Sequence, residues 1–183
     1  MLLAAEGVTI LRLGRLLTLH FFIGMLLLGP VALKAGSTIY RFARYYAGSA
    51  PYRRKGPPAP LLRLLGPVII ASTAGVFGTG IVLAVAGPAH RQPWLFLHKA
   101  SFVIWFCAMT VHVLAYLPRL PRLVAAESRG TAGGPSRGAA AAAAVLGGRG
   151  VRLALLLASL VAGLVIAMLT VHLAAPWHLG RFG

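Results

Sequence analysis

Among side chains able to bind a metal or move a proton, this chain of 183 residues is well supplied only with histidine. It has six, against Cys107, Glu6, Glu127 and no aspartate at all. Paired-carboxylate acid–base catalysis and oxygen-ligated metal sites therefore lack their side chains. A lone thiol builds neither a disulfide framework nor a Cys-x-x-Cys-His haem attachment. What remains is imidazole chemistry, and its position in the chain is informative.

His98 and His112 lie fourteen positions apart inside the apolar run Trp94–Leu117, WLFLHKASFVIWFCAMTVHVLAYL. At ~100° and ~1.5 Å per residue, fourteen helical positions return to within ~40° of the starting direction and climb ~21 Å. Both rings thus fall on one stripe, one towards each end of a membrane-length helix. Ionisable side chains are costly inside a bilayer, so they face the bundle interior and mark a pathway or cofactor, or else hydrogen-bond between helices.

The elements that must position these histidines follow from composition. Hydrophobic residues make up 58% of the chain and charged residues only 11%, far below the roughly 25% of soluble domains. The expected fold is all-α, an integral membrane four-helix bundle forming a single domain over residues 1–183, its surface against the lipid bilayer. Spans are expected at about 16–33, 61–86, 94–117 and 151–175, each close to the length a hydrocarbon core of ~30 Å requires. The N-terminal stretch, with Glu6 before Arg12 and Arg15, is not a good secretory signal. In Lys34–Arg63, Ser37 or Thr38 is expected to cap a separate interfacial helix whose Arg41 and Arg44 face headgroups, with Gly56-Pro57-Pro58 ending it. Small residues Ala71, Gly75 and Gly78 form a groove on the second span for close helix packing. A Gly-, Ala- and Arg-rich segment, about 126–150, reads as a flexible cytoplasmic linker with a short polyalanine helix.

The net charge of +16 reads as topology rather than nucleic-acid binding, because no soluble basic domain with stacking aromatics is present. Lys34, Arg41, Arg44, Arg53, Arg54, Lys55 and Arg63 precede the second span, and Arg119, Arg122, Arg129, Arg137, Arg149 and Arg152 precede the fourth. The other sides hold only Arg12, Arg15, Arg91, Lys99 and Arg181. Thirteen against five makes both basic loops cytoplasmic and puts both termini outside.

With that topology His20, His98 and His172 share the outer half, and His112 stands alone in the inner half. Bis-imidazole ligation of haem iron needs two neutral histidines on facing helices at one depth, with room for a flat macrocycle. His20 with His98 meets this best, Gly24 relieving crowding beside the ring; His172 is a competing partner for His98. Lys99 snorkels to the interface or pairs with a propionate. Zinc on the three outer histidines ranks below haem, with no cysteine or carboxylate in reach. His90 is expected in a solvated loop.

His98-x13-His112 in one span, with a further histidine early in the first, resembles the four-helix di-haem b-type cytochromes that anchor respiratory oxidoreductases, such as the formate dehydrogenase membrane subunit. That resemblance implies haem b, a bacterial inner (cytoplasmic) membrane, a redox partner subunit and electron exchange with quinone. It makes His98 and His112 ligands and His20 a partner ligand. One departure stands out: no second histidine shares the depth of His112, so one haem is expected, and His112 contacts a quinone or propionate or is structural. The stretches KAGSTIYRFARYYAGSAPYRRKGPP and LHKASFVIWF are similar to segments of uncharacterised bacterial membrane proteins and carry no functional implication. The leading expectation is an electron carrier or membrane anchor of a redox enzyme rather than a stand-alone enzyme. Its alternative is a non-redox scaffold or accessory subunit whose basic loops dock a partner or anionic lipid. A small transporter ranks last, for want of paired broken helices or an inverted repeat.

Overall fold

The computed structural model describes residues 1–50, 60–119 and 139–179, and among these every regular element is helical. A short helix α1 (Leu2–Leu11) precedes α2 (Leu13–Tyr46), α3 (Pro60–Ala86), α4 (Trp94–Tyr116), α5 (Ala139–Thr170) and a last turn α6 (Ala175–Leu179). Single 3-10 turns lie at Pro88–His90, Leu117–Arg119 and Val171–Ala174. Four of the helices are long and apolar enough to cross a membrane. Their large side chains point outward all round: Phe96, Phe106, Leu114, Leu157 and Leu169 are all exposed. Such a surface is unstable in water and suits a multi-pass protein in contact with lipid tails.

Two helix pairs make up the bundle. The α3 and α4 helices pack along their length, as do α2 and α5, whereas contact between the pairs is sparse. Glycine explains the second pairing. A Cβ on Gly29 would collide with the backbone carbonyl of Ser159, and one on Gly163 would collide with the carbonyl of Leu26. The two backbones therefore touch directly, as small residues allow between helices in lipid. Pro30, inside α2, has no N–H to give the Leu26 carbonyl four residues earlier. That acceptor is left to face the Gly163 α-carbon, a geometry in which weak Cα–H···O contacts form. Between the pairs, Met25, Ala84 and Ala167 form a small buried core flanked by Phe21, Phe22, Leu26, Leu28 and Leu173.

Several expectations are revised. The first span and the proposed interfacial helix belong to one element, which after a kink at Leu16 runs on without a break over residues 17–46, about 45 Å at 1.5 Å per residue. Ser37 and Thr38 do not cap it; both hydroxyls donate back to the Lys34 carbonyl inside the continuous helix, at 2.9 Å each. The Gly56-Pro57-Pro58 stop and the linker at 126–138 lie outside the described residues. Residues 139–150 of the expected linker belong to α5, in keeping with alanine's leading helix propensity. Gly75 is a close-contact point, where a Cβ would stand 2.8 Å from Ser101 Oγ, but Gly78 meets nothing within 4 Å. Only part of the expected groove therefore receives a neighbouring helix.

The N-terminal stretch forms a hairpin with α2. Non-helical backbone at Arg12 (φ −133°, ψ 40°) and Leu16 (φ −109°, ψ 19°) breaks the helix, and α1 runs back antiparallel, bringing Thr9 and Glu6 against His20. At the far end of α3, Gly87 (φ 70°, ψ 179°) turns the chain through a region that glycine alone occupies readily.

The glycine crossing gives a stability prediction. Gly29→Leu or Gly163→Leu forces the backbones apart and lowers unfolding stability by at least about 1–3 kcal/mol. Gly78→Ala, with open space around it, is neutral or slightly stabilising through helix propensity. Thermal unfolding in detergent, followed by far-ultraviolet circular dichroism, separates the two outcomes.

Candidate functional site

His98 lies one turn into α4, on the side facing α3. Its Nδ1 is 3.0 Å from the Val76 carbonyl oxygen and 3.0 Å from Thr79 Oγ1. A carbonyl only accepts, so Nδ1 carries the proton. The Thr79 hydroxyl donates to the Gly75 carbonyl at 2.6 Å, which leaves its oxygen to accept from Nδ1–H. Gly80 gives the ring its space: a Cβ there would approach His98 Cε1 to 3.2 Å. A helical carbonyl, a threonine and a glycine, all from one turn and a half of α3, thus set both tautomer and position of the imidazole.

His20 is held in the same manner by a different element. Its Nδ1 lies 2.9 Å from Glu6 Oε1 and 2.9 Å from Thr9 Oγ1. The Thr9 hydroxyl donates to the Glu6 carbonyl at 2.6 Å, so again the hydroxyl oxygen accepts while Nδ1–H donates. Thr9 is almost fully buried, and Glu6 and His20 are mostly so. The pairing needs the α1–α2 hairpin, since eleven residues separate Thr9 from His20.

Both rings make their hydrogen bonds to described residues through Nδ1, leaving Nε2 as the lone-pair nitrogen of each. They also lie near enough to one another to interact electrostatically, although α2 and α4 belong to different helix pairs. The two histidines therefore stand on either side of the seam between the pairs. Chemically, each is a nitrogen donor whose orientation is set from behind, the arrangement in which outer-shell hydrogen bonds aim metal-ligating imidazoles.

The other expected site residues are placed differently. Gly24 faces the Glu6 carboxylate, 3.4 Å from a Cβ built on it, and so admits Glu6 rather than a ligand. Lys99 is exposed beside His98. His172 is exposed on the 3-10 turn after α5. His90 is exposed in the turn Pro88–His90, and His178 Nε2 bonds to Thr18 Oγ1 at 2.7 Å. His112 lies towards the opposite end of α4, its ring 4.9 Å from that of Tyr116, with a buried Nδ1 that has no hydrogen-bond partner among the described residues. No cluster of three histidine, cysteine or carboxylate groups suited to a metal ion occurs among the described residues.

Reasoning from sequence passed over Glu6, Thr9, Val76, Thr79 and Gly80. Glu6 and Thr9 share one helical face, and Thr79-Gly80 repeats a small polar pair in an apolar span; neither signal names the histidine it serves. Burial costs give a test. A buried ring nitrogen without a partner is penalised by about 1–3 kcal/mol, so His112→Leu raises the melting temperature. Gly80→Leu, pressing on His98, lowers stability by about 1–3 kcal/mol. The same melting assay reads both. Comparison with known protein families, with curated proteins and with solved structures found no match, so the histidine pair and its anchors are the evidence for function.

Proposed function

We propose that this protein binds one haem b between His20 and His98 and transfers electrons within the membrane, as a carrier or as the membrane anchor of a redox enzyme. The single observation that carries the reading is the matched pair of imidazoles, each with Nδ1–H committed to protein acceptors and Nε2 turned out as a lone pair. A six-coordinate haem asks the protein for two such donors and no more, and the sparse seam between the helix pairs is where a flat ring enters with least repacking. Haem supplies one-electron chemistry when bound. The chain's own residues hold the two rings in place and, by giving each Nδ1–H its acceptors, fix the tautomer that leaves Nε2 as the donor.

Arrangement along the membrane follows from charge. His20, His98 and the Thr18–His178 contact mark one end of the bundle; Arg63 and Tyr46, joined at 2.9 Å, mark the other. Lys34, Arg41, Arg44 and Arg63 stand towards that second end, and the positive-inside tendency, with the thirteen loop cations of the sequence, assigns it to the cytoplasm of a bacterial inner membrane. The proposed haem then sits towards the outer face, and a redox subunit and quinone are its proposed electron partners. With the other five histidines away from the depth of His112, a second bis-histidine haem has no ligand set.

An optical spectrum tests the reading. Protein produced with adequate haem supply is expected to show a b-type reduced-minus-oxidised difference spectrum, lost in His20→Ala and in His98→Ala but retained in His112→Ala, His172→Ala and His178→Ala. No such spectrum in the wild type sinks the proposal. Dependence on His172 in place of His20 overturns the pairing. A stable partner captured without haem, and unaffected by replacing both His20 and His98, favours the accessory-scaffold reading instead.

A further inference from the structure

The α1 helix is short, and many of its apolar side chains are exposed, Leu3, Val8 and Leu11 among them. Its one sustained contact is with α2. Glu6 is the only carboxylate side chain among the described residues, it is mostly buried in the α1–α2 hairpin, and it ends on a histidine. Three features of the local structure serve that contact. The helix break at Arg12 to Leu16 folds α1 back on α2. Gly24 leaves the space the carboxylate occupies. Thr9, nearly inaccessible, ties its hydroxyl to the Glu6 carbonyl and presents its oxygen to the same Nδ1. Interhelical packing alone would be better served by leucine at position 6, since an acid in such surroundings carries a desolvation cost.

We infer that Glu6 is the positioning residue for His20: delivered by α1, its carboxylate fixes the Nδ1–H tautomer and aims Nε2 at the seam facing His98. The inference rests on the haem reading for what Nε2 ligates, and it adds an asymmetry to that reading. His98 is backed by a neutral carbonyl and His20 by a charged carboxylate. A carboxylate behind an imidazole raises its basicity, strengthens ligation and favours the more positive, oxidised state of a bound iron. With haem bound, His20 would be the stronger donor of the two through Glu6 on α1, and His98, backed by the Val76 carbonyl, the weaker. Glu6 itself touches neither iron nor macrocycle.

Two variants and two readouts test this. Glu6→Gln keeps size and a carbonyl acceptor for Nδ1–H but removes the charge; Glu6→Ala removes the acceptor. Nitrogen-15 spectra of histidine-labelled apoprotein in detergent are expected to show His20 as the Nδ1–H tautomer in the wild type and in Glu6→Gln, and as a tautomer mixture in Glu6→Ala. Haem b titrated into the same preparations is expected to bind six-coordinate to wild type and Glu6→Gln, with the midpoint potential raised in Glu6→Gln, and to bind about tenfold to a hundredfold more weakly to Glu6→Ala. Glu6→Asp, a shorter acid, is expected to restore part of the affinity. If haem binds to all forms with one potential and one affinity, or if wild-type His20 is the Nε2–H tautomer, the role of Glu6 is overturned while the haem reading stands. Failure of the wild type itself to bind haem overturns the haem reading, and the tautomer spectra still decide whether Glu6 holds His20.

Discussion

Direct backbone contact between α2 and α5, at Gly29, Ser159 and Gly163, is the constraint from which the remaining architecture follows. In lipid there is no hydrophobic drive to bring helices together, so association depends on close van der Waals approach and on polar groups that find partners. Two glycines facing each other supply the approach, and Pro30 frees the Leu26 carbonyl at the crossing. Once α2 is paired with α5, the connection lengths leave α3 and α4 to pair as a hairpin through Gly87, with Gly75 against Ser101 as their own close point. A bundle made of two tight pairs has a looser seam between them. The two anchored histidines stand on either side of that seam.

Their anchoring uses one device twice. In each case a threonine hydroxyl donates to a backbone carbonyl a turn earlier, so that its oxygen accepts from a histidine Nδ1–H beside a second acceptor. For His98 that second acceptor is the Val76 carbonyl, and for His20 it is the Glu6 carboxylate. Committing Nδ1–H in this way selects one tautomer of a ring that otherwise divides between two. The consequence is directional: the lone-pair nitrogen of each ring is preset by acceptors on its opposite side. His112 shows the contrast. It has the same residue type, the same helix and the same stripe as His98, but its Nδ1 lacks an acceptor among the described residues, so no hydrogen bond from them selects its tautomer.

The long α2 helix links these features to the bundle's charge. Its first third carries His20 and receives α1, its middle carries the glycine crossing, and its last turns carry Arg41, Arg44 and the Tyr46 hydroxyl that accepts from Arg63. Beyond its kink at Leu16 the helix is about 45 Å long, more than a hydrocarbon core of ~30 Å, so its basic end projects past the apolar zone. Histidine chemistry and cationic surface are thereby held at opposite ends of one rigid element.

How much of this was legible in the chain divides along a physical line. Local periodicity and run length sufficed for four spans, for their order, and for grouping His20 with His98 towards one end, because hydropathy and rise per residue act within a single helix. The same local information split one element into two at Ser37, where a capping residue type sits inside a continuing helix, and placed the close-packing stripe at Ala71, Gly75 and Gly78 when, of the two glycines, Gly75 alone meets a neighbour. Tertiary structure alone decided the rest. Glu6 is fourteen residues from His20, and Val76 is twenty-two from His98; no period relates them, and a hairpin break or helix crossing has to bring them together. By itself, then, the sequence determined an all-helical, membrane-length scaffold with imidazoles near one end. Which nitrogens those imidazoles expose was settled only when folding supplied acceptors for the opposite side of each ring.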